Sequence, residues 1–157
     1  MTRQMDENEP IDVDALRDQF LHEIFDEYVF TLDAEKLVQY AKSCGETASK
    51  FTDPSDPDFQ APPTIASSFN PTKDYPDNFP SFEGIGMDAG KSVELEKPLR
   101  AGEEITATTT MHDIYTKSGR SGRIVFFVNR MTMKNPKGEI LGSSNTSVVI
   151  REKPKES

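Results

Sequence analysis

The sequence predicts a single α+β domain in which one antiparallel sheet covers its apolar face with helix and loop. Three observations carry this. The last 65 residues break into alternating, β-branched segments joined by turn signals. Residues 34–44 carry one apolar stripe at helical spacing. Between them lies a proline-rich stretch that suits neither a long helix nor a central strand.

The elements follow in order. Residues 1–10 are polar and predicted to be a flexible N-terminus, and 153–157 a flexible tail, leaving 11–152 as the domain. Ile11, Val13, Leu16, Phe20 and Ile24 fall near helical spacing and predict a first short helix. Residues 25–32 (FDEYVFTL) are β-branched and aromatic and predict a strand. Asp33 is an N-cap for a helix burying Ala34, Leu37, Val38, Ala41 and Cys44, stopped by Gly45. A thiol at the end of that stripe is expected to be buried and inert.

Seven of the eleven prolines lie between Pro54 and Pro80. Residues 46–90 are therefore expected to form a long ordered loop with at most one short helical segment, around Thr64–Phe69. A loop of that length in a small domain is usually functional or an insertion. Beyond it, Ser92–Glu96, Ile105–Tyr115, Arg123–Met133 and Glu139–Ile150 predict a four-strand meander, connected through PLRAGE, KSGRSG and NPKGE. The strands on either side of Ser118–Gly122 are expected to run about ten residues each, long for a small domain. In Arg123–Val128 both parities are apolar, so this strand is expected to be covered on both faces. Long strands and a doubly apolar one both point to an oligomer.

Composition narrows the function. The chain has 157 residues and a formal net charge of −9, with charge unevenly placed. Residues 1–60 hold 5 basic and 15 acidic side chains, whereas residues 101–157 hold 9 and 6. An acidic chain without a basic, aromatic-interleaved stripe is unsuited to nucleic acid. The mean hydropathy is −0.62 and no apolar run exceeds five residues, which excludes a membrane-spanning helix. No secretory leader pattern precedes the domain, and the single cysteine excludes an intrachain disulfide, so a cytoplasmic protein is expected. One cysteine and two separated histidines, His22 and His112, also argue against a metal site.

The C-terminal half then reaches a known pattern. Asp88-Ala89-Gly90, an alternating strand, and Pro98-Leu99-Arg100-Ala101-Gly102-Glu103 are followed by Asp113-Ile114-Tyr115, the Gly119–Gly122 turn, Asn135, Gly138-Glu139 and a terminal Thr/Val/Ile strand. Upstream, Tyr40-Ala41 to Gly45-Glu46 and Ala61-Pro62-Pro63-Thr64 continue the series. In this order the set resembles the N-terminal, FAS1-like dehydratase half of the MaoC family, over roughly residues 20–152. The resemblance implies a hot-dog fold, a curved antiparallel sheet around a helix, with two such units joined through their sheets. It also implies (R)-specific enoyl-CoA hydratase or 3-hydroxyacyl dehydratase chemistry on a CoA thioester, which is the substrate, with no cofactor.

Active members of that family carry Gly-Asp-x-Asn-Pro-x-His, whose Asp and His hold and deprotonate the water that adds to the double bond. The matching stretch here is Gly45-Glu46-Thr47-Ala48-Ser49-Lys50-Phe51. Glu46 keeps a carboxylate with a longer reach, and Phe51 stands where His is required. A phenyl ring moves no proton. No other His lies between Leu21 and Met111 except His22. The resemblance therefore implies an accessory half that shapes the acyl-CoA tunnel beside a partner, a MaoC-like catalytic subunit, that supplies the dyad. The alternatives are a self-associated hydratase or thioesterase using Glu46, Glu83 or Asp88, and an acyl-CoA-binding module without chemistry.

Other candidate substrate-binding residues are Asp88 and Gly90, where relatives carry His or Asn before a small-residue turn, and Lys117, Arg120 and Arg123, whose cations suit CoA phosphates. Each has a plainer alternative. An Asp before a turn bonds its own backbone, and charge at a hairpin tip keeps an edge soluble. His112-Asp113 makes a poor base pair, since strand neighbours point to opposite faces.

Overall fold

In a computed structural model, which describes residues 10–152, the chain forms α1 (Val13–Phe20), β1 (Ile24–Thr31), α2 (Ala34–Ser43), the single-turn α3 (Ser49–Thr52), a 3-10 helix (Pro63–Ser68), β2 (Ile85–Leu95), β3 (Glu104–Gly119), β4 (Gly122–Lys134) and β5 (Ile140–Arg151). The expected flexible ends, 1–10 and 153–157, fall outside the described residues except for Pro10. All five strands join one antiparallel sheet in the order β1-β3-β4-β5-β2. The sheet curves over the helices and the proline-rich segment, as the hot-dog arrangement requires.

Local chemistry explains the helix ends. Asp12 and Asp33 accept hydrogen bonds from the backbone N–H groups of Ala15 and Lys36, both at 3.0 Å, capping α1 and α2. α2 closes at Gly45, whose φ of +78° suits a residue without Cβ. Gly45 N–H donates to the Lys42 carbonyl and Glu46 N–H to that of Ala41, the Schellman pattern.

That closure turns Cys44 outward. Leu37 and Ala41 are buried, but Cys44 is exposed rather than at the end of the buried stripe. Ile24 likewise leaves the first helix: α1 ends at Phe20, and Ile24 opens β1 as an exposed residue.

The sheet departs from the expected meander in one strand. β3, β4 and β5 are sequential neighbours, but β2 crosses to the far edge and pairs with β5. Its start also absorbs the expected Asp88-Ala89-Gly90 turn. There the register shifts between Asp88 and Gly90, Gly90 takes φ +102°, and its N–H donates to Asp88 Oδ1 at 2.7 Å. The small residues make a bulge within a strand. β3 and β4 run 16 and 13 residues, longer than expected.

The concave face is filled in two separate clusters. One joins Leu37, Ile65, Leu99, Ile105, Met133 and Leu141. The other joins Leu16, Phe20, Met111, Ile114, Val125 and Phe127, with Tyr75, Phe79 and Phe82 packed on it. The proline-rich segment is ordered by this second cluster: Phe79 meets Phe20 at 5.0 Å and Phe127 at 5.5 Å between ring centres. Residues 46–90 contain two short helical segments, α3 and the 3-10 helix, one more than expected. On the convex side Phe126 is covered within the chain, stacked on Tyr115 at 4.7 Å beneath the Lys117 ammonium. That contact, from the neighbouring strand, supplies part of the cover expected from a neighbouring subunit or loop. No helix among the described residues is long and apolar enough to cross a membrane.

Candidate binding pocket

Between the two apolar clusters the concave face changes character. On β3 the inward parity runs Ile105, Ala107, Thr109, Met111, and on β4 it runs Val125, Phe127, Asn129, Met131, Met133. Thr109 pairs with Met131, which pairs with Ser144 of β5. Asn129 pairs with Thr146 in the next row. A polar band therefore crosses three strands where the alternation calls for core. It lines a cavity of about 290 Å³, closed on the other side by Phe69, Asn70, Asp74 and Tyr75.

Three sheet residues hold the loop over that band. Asp26 of β1, only 7 % exposed, accepts from Thr72 N–H at 2.9 Å and from the Thr72 hydroxyl. Asn129 Nδ2 donates to the Asp74 carbonyl at 2.9 Å. From β2, Lys91 Nζ donates to the Ser67 carbonyl at 2.9 Å and to Asn70 Oδ1 at 2.7 Å, placing its charge at the C-terminal end of the 3-10 helix. Burial, followed by the neighbouring Asp74 charge, raises the Tyr75 pKa, so its phenol stays neutral.

Thr109 Oγ1, Asn129 Oδ1 and Ser144 Oγ are buried without a hydrogen-bond partner among the described residues. All three belong to the cavity wall. Buried polar groups are normally paired, so three orphans along one polar band set it apart from the apolar core on either side. Among the described residues no imidazole lines it, and the one carboxylate-bearing lining residue is Asp74. The wall can bind and orient a molecule, but it offers no carboxylate–imidazole dyad.

The residues singled out from the sequence lie elsewhere. Glu46 sits at the α2 closure and Phe51 on α3, and neither lines the cavity. Asp88 and Gly90 form the β2 bulge, and Glu83 is exposed just ahead of β2. Lys117, Arg120 and Arg123 share the β3–β4 hairpin tip, where Arg123 is engaged: it forks onto Glu152 at 2.7 and 2.8 Å and reaches the Ile11 carbonyl. Asp113 pairs with Arg17 at 2.7 Å, and His112 lies 6.2 Å from His22 between ring centres. The register slips between Met111 and Asp113, so simple alternation does not apply there. No group of three or more potential metal ligands occurs among the described residues. The sequence analysis missed Asp26, Lys91, Thr109, Asn129 and Ser144. The readable signal was a polar residue on the core parity of β3 and again of β4.

Comparison with solved structures agrees with this architecture. A MaoC-like dehydratase from Phytophthora capsici superposes with a TM-score of 0.65 at 23 % identity, over 85 % of this chain and 49 % of that one. The chain thus spans about half the length of that protein. The HadBC (3R-hydroxyacyl-ACP dehydratase) complex of Mycobacterium tuberculosis gives 0.60 at 17 % identity, over 81 % and 94 %. The ChsH1-ChsH2 complex of the same organism gives 0.60 at 11 %, over 92 % and 91 %. No curated protein matches the sequence. The profile of the "FAS1-like, dehydratase domain region" family matches residues 21–142, most of the chain. The chain belongs to this family and has its hot-dog fold.

Proposed function

We propose that the protein is the catalytically incomplete subunit of a heteromeric (R)-specific enoyl-CoA hydratase or 3-hydroxyacyl dehydratase. It lines the tunnel for the acyl chain of a CoA thioester, and a MaoC-like partner supplies the Asp/His dyad. One observation carries this: the pocket lies between sheet and loop, and among the described residues no imidazole lines it. An acyl-CoA hydratase needs a base on the water and a donor at the thioester oxygen. With Phe51 in place of the motif's histidine, the base must come from elsewhere.

Two further features support a partner. β2 bonds to β5 on one side only, and residues 85–92 are exposed on both faces, with Ile85 and Met87 presenting apolar surface. An open edge of this kind is suited to pairing. The two M. tuberculosis structures of similar fold are both complexes.

The test is loss of enoyl-thioester absorbance with crotonyl-CoA and with a bulky enoyl-CoA. It is run on the purified chain and again with a co-purifying or genome-adjacent MaoC-like protein that carries the dyad. Turnover only in the pair is the expected result. Turnover by the chain alone, lost in Glu46→Gln, overturns the reading in favour of a self-sufficient enzyme. Binding of acyl-CoA without turnover in either arm favours a binding module.

A further inference from the structure

We propose that Lys91 holds the anionic head of the ligand whose apolar part fills the pocket, so that the head lies at the β2 edge of the sheet. This rests on the acyl-thioester reading above and names the residue that receives the charged end of the molecule. Lys91 stands at the rim. Its register partner is Thr146, whose own partner is Asn129, so the three form one row from the sheet edge inward. Thr146 and Asn129 both line the cavity, and Lys91 Nζ lies 2.7 Å from Oδ1 of Asn70, on the loop side of the wall. Lys91 is nonetheless an exposed residue, and it makes no ion pair among the described residues.

The bonds that Lys91 already makes leave it able to take an anion. An ammonium has three N–H donors. Two go to uncharged acceptors, the Ser67 carbonyl and Asn70 Oδ1, which fix its position without neutralising its charge. A cation already ordered in place binds an anion without the ordering cost that a free lysine carries. The inner end of the row has the opposite sign. Asn129, roughly 10 Å from Lys91 by two strand spacings, holds the carbonyl of Asp74, the one carboxylate-bearing residue in the lining. A phosphate or carboxylate at that end meets a like charge in a partly enclosed space, where charges are poorly screened. The apolar part of the ligand therefore goes inward, against Phe69, Tyr75, Met131 and Val148, and the anion stays at Lys91. Two kinds of head share this chemistry, the phosphates of a CoA thioester and the carboxylate of a free acid.

The test is calorimetric binding of the purified protein to octanoyl-CoA, to octanoyl-pantetheine, which has the thioester without phosphates, and to octanoate. Octanoyl-CoA is expected to bind more tightly than octanoyl-pantetheine, with a preference that fades as salt rises from about 50 to about 300 mM. Lys91→Met should cut that preference about tenfold, and Lys91→Arg should keep most of it. Reading the ratio separates two roles, since a lysine that only latched the loop would weaken both thioesters alike. Equal binding of the two thioesters by the unaltered protein, an equal fall in both on Lys91→Met, or no change in either overturns the inference and leaves the acyl-CoA reading standing. Octanoate bound through Lys91, with neither thioester bound, keeps the anion site and overturns the acyl-CoA reading. Failure of every probe to bind overturns both.

Discussion

The two ends of the concave face and the band between them use the same strands for opposite purposes. At the ends, inward positions are Ile105, Met133 and Leu141, or Ile114, Val125 and Phe127, all essentially out of solvent and packed on helices or loop aromatics. In the middle, the same parity supplies Thr109, Asn129 and Ser144 around a cavity. Apolar packing stabilises in proportion to the surface it removes from water, whereas an orphaned hydroxyl gives up that gain. The ends therefore hold the fold together, and the band gives up stability for the ability to bind. Functional sites are where such departures from a locally consistent pattern collect.

Truncation separates the two regions, and the largest effect belongs at an end. Phe127 is 2 % exposed and meets both Phe79 and Phe82. Phe127→Ala should cost about 3–5 kcal/mol, lowering the melting temperature by roughly 10 °C for a domain of this size. A loss under 1 kcal/mol in denaturant unfolding would break the comparison. The next effect belongs at the boundary. Asp26→Ala removes both acceptors for Thr72 and should cost about 1–3 kcal/mol. Faster hydrogen exchange should appear in residues 69–84 and not in the α2 cluster; uniform loosening would show that Asp26 serves the whole sheet instead.

The smallest effect is a pH dependence outside both regions. Arg123 holds the Glu152 carboxyl below its ordinary value by hydrogen bonding. The folded chain thus keeps this charge where the unfolded chain loses it, and stability falls as pH drops below about 4.5. Burial, then the Arg130 charge, lowers the His112 pKa, so the unfolded chain takes up a proton first and stability starts to fall below about 6.5. Melting temperatures from pH 8 to about pH 3 should decline in two steps. His112→Gln should remove the upper one and Glu152→Gln should reduce the lower one, to which Asp53 and Asp56, also held below their ordinary values by hydrogen bonds, contribute. A single step unaffected by either variant would assign acid sensitivity to other groups.

Much of this architecture was legible because its causes are local. Asp33 and Gly45 bound α2 through a cap and a left-handed residue, and the alternation of β3 to β5 follows from a sheet with one buried face. The order of motifs led to the family, and the match over residues 21–142 agrees. The errors arose where distant segments compete. β2 looked like the first strand of a meander because sequence adjacency favours it, yet β5 is the strand it pairs with across the sheet. The Asp88–Gly90 bulge looked like a turn because both use the same small and polar residues. Arg123's ion pair was likewise not legible, because nothing near it in sequence reveals Glu152 and the Ile11 carbonyl.

By itself the sequence determined the class of fold and the family, since both depend on residue type, order and period. Only the tertiary structure decided where the pocket lies. Thr109, Asn129 and Ser144 come from three strands, and they line one pocket only once register has aligned them and the loop from Phe69 to Tyr75 has closed above them. Register and closure are set by contacts between residues far apart in the chain, a property that no local window contains.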